Sequence, residues 1–183
     1  VQLDISPPPS TPSVADTNAC FGYPVPALVH AGTIVQWFND TALTNIVFVG
    51  DSFVSTDTAA GSYTYFLNDS TPGCNIGAPD TVVLTIDATP SPPSGNDTTI
   101  CLGDSVPDFI AVGVNIQWYD NIALDSLVFA GDTFSSSDTA AGVYTYYVTQ
   151  TDTSVNNCES FPLEVVLTIN GSPAAPTVQD SSI

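Results

Sequence analysis

Four cysteines, Cys20, Cys74, Cys101 and Cys158, are the residues of this sequence best placed for covalent chemistry. No Cys-x-x-Cys pair occurs and no histidine cluster accompanies them, which disfavours zinc. Regular spacing in a strand-rich chain instead indicates disulfides and an oxidising compartment. Cys101 follows Cys20 by 81 residues, an offset at which much of the chain repeats. Four cysteines allow three connectivities. The repeat favours Cys20 with Cys74 and Cys101 with Cys158. Closing a loop of that length stabilises a unit by roughly 4 kcal/mol in the chain-entropy model.

Other reactive groups are sparse. His30 is the one histidine, and its counterpart in the repeat is Ala111, so it reads as a strand-edge residue rather than a base or ligand. Histidine-dependent nucleophilic catalysis is excluded from the second half, and carboxylate-pair hydrolysis would have no cation to orient its substrate. The loop carboxylates Asp40, Asp51, Asp57 and Asp69, with Asp120, Asp132, Asp138 and Asp152, are of the type calcium uses. No EF-hand spacing occurs, however, and Asp57 and Asp138 are explained as turn residues. No catalytic residue, metal-ligand set or cofactor is expected, beyond calcium loosely screening negative charge. Glycosylation has more support. Asn39-Asp40-Thr41, Asn68-Asp69-Ser70, Asn96-Asp97-Thr98 and Asn170-Gly171-Ser172 match the N-linked acceptor pattern. The competing reading is loop composition, since a chain rich in Asn, Ser and Thr produces such short matches by chance.

Charge narrows the partners. The sequence has no lysine or arginine against 19 carboxylates, a net charge of -19. Phosphate binding is carried by cationic side chains, so nucleic acid is excluded, and anionic membrane surfaces with it. Charged residues are only 10% of the chain, whereas 43% is hydrophobic. That is a folding composition with a hydroxyl- and amide-rich surface, suited to the outside of a cell. No apolar run is long enough to cross a bilayer, and Val1 does not open a signal peptide.

The elements that must position these groups come as a repeat. Gln36-Trp37 recurs as Gln117-Trp118, and Asp57-Thr58-Ala59-Ala60-Gly61-Ser62-Tyr63-Thr64-Tyr65 as Asp138-Thr139-Ala140-Ala141-Gly142-Val143-Tyr144-Thr145-Tyr146. Val1-Gln2-Leu3-Asp4-Ile5 recurs as Val82-Val83-Leu84-Thr85-Ile86 and again as Val165-Val166-Leu167-Thr168-Ile169. Residues 1–6 therefore read as the last strand of a preceding repeat, 7–18 as a linker and 19–87 as the first repeat. Residues 88–99 read as a second linker, 100–170 as the second repeat and 171–183 as a linker to a following one. The window is expected to belong to a longer protein, with cysteine shortly after Ile183. Proline in Pro7-Pro8-Pro9, Pro12, Pro90, Pro92-Pro93, Pro173 and Pro176 would stiffen the linkers.

Within each repeat apolar residues alternate with the period of two that half-buried strands require. Val35 and Trp37 match Ile116 and Trp118, whereas Ile34 matches Asn115, so the tryptophan face is the core. Tyr63 and Tyr144 are expected in the core too. Phe38 and Phe66, with Tyr119 and Tyr147, point the other way. They read as a second packed layer or, alternatively, as a contact stripe for carbohydrate or protein. Turn signals at Ala31-Gly32, Gly50-Asp51 and Ala60-Gly61, with their counterparts, leave about seven short strands per repeat, an antiparallel β-sandwich.

These residues resemble an immunoglobulin-like fold: a tryptophan in the third strand, then Asp57 to Tyr63 and Asp138 to Tyr144, which look like the turn carrying a tyrosine corner. Two residues later stands Tyr65 or Tyr146, where antibody domains have cysteine. The run Cys101-Leu102-Gly103-Asp104-Ser105-Val106-Pro107, Ile116-Gln117-Trp118-Tyr119, Gly142 to Thr151 and Cys158-Glu159-Ser160 resembles the Ig-like repeats of large surface proteins and adhesins of Bacteroidetes-type bacteria. That resemblance implies secretion, commonly by the type IX route, display in tandem arrays and no catalytic site. It also makes Asp-Ser/Thr followed by an apolar residue or threonine resemble an O-glycosylation signal, with Thr41, Thr98, Ser105 and Ser126 as candidates. The function expected is a non-catalytic structural segment of an extracellular cell-surface fibre, stalk or giant adhesin. Its partners would be neighbouring repeats and other copies of the chain. The alternative is an Ig-like module that binds a glycan or surface receptor.

Overall fold

The structure, a computed structural model, describes residues 11–70, 78–153 and 156–177. Every regular element among them is a β-strand. The described residues form two compact units, one within residues 11–89 together with 153 and 156–158, and one within residues 90–152 together with 159–177.

In the first unit, β1 (Thr17–Cys20), β3 (Val35–Phe38), β4 (Ile46–Val49), β6 (Gly61–Asp69) and β7 (Asp80–Asp87) form one sheet in the order β1-β7-β6-β3-β4. A second, two-stranded sheet pairs β2 (Leu28–Val29) with β5 (Ser52–Phe53). Alternate residues of the large sheet, among them Val35, Trp37, Leu67, Val82 and Leu84, pack against Leu28 and Phe53 of the small one. Trp37, Leu67, Val82 and Leu84 have no exposed surface. The period-two pattern of the sequence is the origin of this core, because successive strand residues face opposite sides.

The second unit repeats the plan. β8 (Thr98–Cys101), β10 (Gln117–Tyr119), β11 (Leu127–Ala130), β13 (Gly142–Thr149) and β16 (Leu163–Asn170) form a sheet in the order β11-β10-β13-β16-β8, and β9 (Phe109–Ile110) pairs β12 (Thr133–Phe134). A short hairpin, β14 (Thr151–Asp152) with β15 (Cys158–Glu159), is added. Both buried tryptophans spend their indole N–H on the same acceptor: Trp37 Nε1 donates to Gly50 O (2.9 Å) and Trp118 Nε1 to Gly131 O (3.0 Å). A buried donor needs such a partner. The two glycines have φ of 138° and 139°, a conformation side chains resist, which fixes glycine there.

Two expectations need correction. The first strand of each unit is not antiparallel: β1 pairs β7, and β8 pairs β16, in parallel. An aspartate before each strand sets this register, Asp16 Oδ1 accepting from Val83 N (2.8 Å) and Asp97 Oδ1 from Val166 N (2.9 Å). Secondly, in the first two proline-rich stretches the described residues nearest the first strand of each unit pack on that unit. Pro12 and Pro93 are buried, Val14 N donates to Asp80 Oδ2 (2.9 Å) and Ser94 bridges Val112. Proline's fixed φ suits the entrance to an edge strand and its ring is apolar. Residues 1–6 lie outside the described residues. The aromatics opposite the tryptophan face follow the packed-layer reading and not the alternative of an open stripe. Phe38 and Tyr119 are buried, at 4% and 7% exposure, while Phe66 and Tyr147 beside them are half-buried. Glu159 Oε1 of β15 accepts from Tyr119 Oη (3.1 Å), so in the second unit the hairpin reaches this face.

Candidate functional site

The most concentrated polar chemistry in each unit lies where the chain enters the long strand β6 or β13. Tyr63 Oη donates to Ala59 O (2.9 Å) and Tyr144 Oη to Ala140 O (3.1 Å), both tyrosines being half-buried at the core margin. Two residues on, and so on the same face, Tyr65 and Tyr146 are buried at 5% and 8% exposure. Their hydroxyls donate to the carboxylates of Asp57 and Asp138. They also lie 2.6 Å from Ser55 Oγ and 2.8 Å from Ser136 Oγ. Each serine Oγ in turn accepts from the aspartate's own backbone N–H, at 2.9 Å and 3.0 Å. Burial, reinforced by the hydrogen bond to aspartate, pushes both tyrosines up to about 12. They therefore stay protonated and act as fixed donors. The serine, aspartate and tyrosine of each cluster hydrogen-bond to one another, so the cluster closes the turn that leads into the long strand. Sequence reasoning found Tyr63, Tyr144 and the turn role of the aspartates but missed the serine–aspartate–tyrosine cluster. Its signal was available: Ser55-x-Asp57 with Tyr65, repeated as Ser136-x-Asp138 with Tyr146.

An open cleft lies beside each cluster. In the second unit it measures about 620 Å³ and is lined by Asp120, Val128, Phe134, Asp138 and Tyr146 among others. In the first it measures about 390 Å³, with Asn39, Val47, Phe53, Asp57 and Tyr65 at the corresponding places. The same opening thus recurs with one carboxylate fewer.

The cysteines do not pair as the repeat suggested. Cys20 is bonded to Cys158, with Cα atoms 5.6 Å apart, and Cys101 is an exposed thiol. Cys74 lies outside the described residues. The physical reason is proximity: residues 153 and 156–158 group with the first unit, where Asn156 also donates to the Asp87 carboxylate. A repeat identifies corresponding positions, whereas a disulfide requires Cα atoms within about 7 Å.

Among the glycosylation candidates, Asn39, Asn96, Asn170, Thr41 and Ser105 are exposed, and Thr98 and Ser126 are half-buried. Asn68 corrects the expectation. It lies within β6 at 2% exposure, its side-chain oxygen without a hydrogen-bond partner, and an enclosed amide is out of reach of a transferase. The carboxylates weighed for calcium are dispersed or already used. Asp40 ties its own loop by accepting from Thr44 N (2.8 Å) and Asn45 N (3.1 Å). The Thr44 side-chain hydrogen bond, with help from backbone donors, holds its carboxyl below the usual range. Among the described residues no group of three or more His, Cys, Asp or Glu is placed to hold a metal. Among the same residues no helix is long and apolar enough to cross a membrane.

A tryptophan-centred pair of sheets, with a tyrosine corner entering the long strand, defines an immunoglobulin-like module. Residues 90–171 match the family model described as "Ig-like domain CHU_C associated". Solved structures are similar at low identity. The fibronectin(III)-like modules of Clostridium thermocellum CbhA align with 93% of this chain and 100% of theirs at 9% identity and a TM-score of 0.44. A SusE-like, surface-located polysaccharide-binding protein of Bacteroides thetaiotaomicron aligns with 89% of this chain but 34% of its own, at 11% identity and 0.41. The titin domains Z1Z2, solved with telethonin, align at 17% identity and 0.34 over 87% and 94%. Comparison with curated proteins gives no match.

Proposed function

We propose that this chain is a non-catalytic structural segment of an extracellular bacterial surface fibre, stalk or giant adhesin, in which repetition of Ig-like modules sets reach. The observation that carries the reading is the duplicated architecture. The same core tryptophan, tyrosine corner and serine–aspartate–tyrosine cluster are built twice, under a surface without a single cation. Absence of Lys and Arg removes trypsin-type cleavage sites, and like charge discourages collapse. The family match of the second unit and the disulfide support an oxidising, cell-surface setting. Glycans on exposed acceptors such as Asn39, Asn96, Asn170 and Thr41 would fit the same setting.

The alternative is a module that binds a glycan or surface receptor through its loops or outward aromatics; burial of Phe38 and Tyr119 weakens the aromatic route and leaves the loops to carry it. Electron cryomicroscopy of the native full-length protein tests the proposal. Beaded, extended rods are expected, and compact particles would overturn it.

A further inference from the structure

Each large sheet ends in a strand of unusual composition. β4 is Ile46-Val47-Phe48-Val49 and β11 is Leu127-Val128-Phe129-Ala130, all eight residues exposed and none charged. Each has one strand neighbour, β3 or β10, and nothing on its outer side among the described residues. Exposed apolar edges are normally blunted by charge or proline, because their free N–H and C=O groups template another strand. Here the unguarded edge recurs in both units.

The edge also adjoins the cleft described above. The ladder slips by one residue between Trp37 and Phe38, and between Trp118 and Tyr119, leaving Val47 and Val128 as the extra residues of the two bulges. These are the edge residues that line the clefts. A bulge commonly re-aims a side chain at an edge, and these two bring the edge strand to the cleft wall. A strand added outside β11 would thus run beside an opening that carries Asp120 and Asp138.

We infer that β11, and more weakly β4, is a β-augmentation site for an extended segment of another protein bearing Lys or Arg among alternating apolar residues. The added strand would take its main-chain hydrogen bonds from the edge and place the cationic side chain in the cleft. Charge selects the occupant. A second copy of this chain would bring no cation and a charge of -19, setting carboxylates against carboxylates. The two units differ in the same currency, since Asn39 stands in the first where Asp120 stands in the second.

The test uses the full chain and two capped synthetic peptides of alternating Val and Thr, one with a central Lys and one with a central Glu, followed by calorimetry and amide hydrogen exchange. The Lys peptide is expected to bind and to protect the Leu127–Ala130 amides first, the Glu peptide not to bind. Asp120→Asn should weaken binding about threefold, as loss of a partly exposed ion pair does. Asn39→Asp should strengthen binding at β4 by about the same factor, a gain that misfolding cannot imitate. Val128→Pro, which removes an edge N–H and its pairing geometry, should abolish it at β11. The inference is overturned if neither peptide binds, if both bind equally, or if the edge amides are protected by self-association without peptide. It also fails if a neutral oligosaccharide rather than the peptide perturbs the cleft. Failure of peptide binding leaves the proposal of a structural array standing, which imaging tests separately, whereas oligosaccharide binding would favour the glycan-binding alternative.

Discussion

The two units use different residues for the same work, and the differences show which features the fold requires. At the start of β3, Asp69 Oδ1 accepts from Thr33 N and Ile34 N, both at 3.0 Å. At the start of β10, Gln150 Oε1 accepts from Val114 N at 2.8 Å. The requirement is an acceptor for an unpaired backbone N–H, not a charge. By contrast the indole-to-glycine bond and the tyrosine corner recur with identical residue types, because only those shapes combine an apolar body with a donor at the right reach. Cys20 and Cys101 are the opposite case. Identical residues end equivalent strands, β1 and β8, yet one is bonded and the other is an exposed thiol.

That asymmetry gives the prediction with the largest effect. The bridge closes a sequence separation of 138 residues, so Cys20→Ser should cost about 5 kcal/mol on the chain-entropy model. Cys101→Ser, at an exposed thiol, should stay within about 0.5 kcal/mol. Denaturant unfolding compares them, and non-reducing peptide mapping with chymotrypsin should recover Cys20 linked to Cys158. Equal losses, or a Cys101–Cys158 peptide, would restore the pairing the repeat suggested. Next in size, Trp37→Ala and Trp118→Ala should each cost about 3–5 kcal/mol. Both side chains are fully buried, and calorimetry should show matching losses if the two cores are equivalent.

The third prediction concerns pH. Tyr65 and Tyr146 are raised from 10.0 to about 12 in the folded chain. The folded state therefore holds these protons more tightly than the unfolded one. Their contribution is fully present below pH 10 and is lost as pH rises from 10 towards 12. Tyr65→Phe and Tyr146→Phe should each cost about 1 kcal/mol at neutral pH. The pair together should flatten the alkaline loss of stability followed by circular dichroism. A steep fall that survives in the double variant would assign it to other tyrosines.

Local pattern made much of this molecule legible. Alternation at Val35 and Trp37 and at Ile116 and Trp118 located the core face, and the spacing from Asp57 to Tyr63 located the corner, because both depend on residues close in sequence. What escaped depends on packing across the fold. For Phe38 and Tyr119 a strand with two apolar faces left a packed layer and a contact stripe both open, and their burial selects the first. Asn68 satisfied an acceptor pattern while buried in β6, and short motifs carry no information on enclosure. The parallel entry strands turn on Asp16 and Asp97, whose partners stand in the last strand of each unit. Cysteine pairing failed for the same reason, as correspondence in a repeat is not proximity in space.

The smallest effect isolates the contrast between the two caps. Gln150 does more than accept from Val114: its Nε2 donates to Ser91 O at 2.6 Å, which ties down the entry segment of the second unit. Gln150→Glu would keep the acceptor but replace that donor with a carboxylate facing a carbonyl, at a cost of about 1 kcal/mol. Asp69→Asn in the first unit keeps an oxygen for Thr33 and Ile34 and loses only the charge assistance, about 0.5 kcal/mol. Each side chain also packs on the turn glycine before it. A Cβ on Gly32 would stand 2.6 Å from Asp69 Oδ2, and one on Gly113 2.5 Å from Gln150 Oε1. Hydrogen exchange at Ile34 and Val114 should therefore report each cap separately. Faster exchange at Val114 in Gln150→Glu, with Ile34 unchanged, is the expected result. Equal acceleration at both positions would show that the caps are coupled and that the two units cannot be treated as separate experiments.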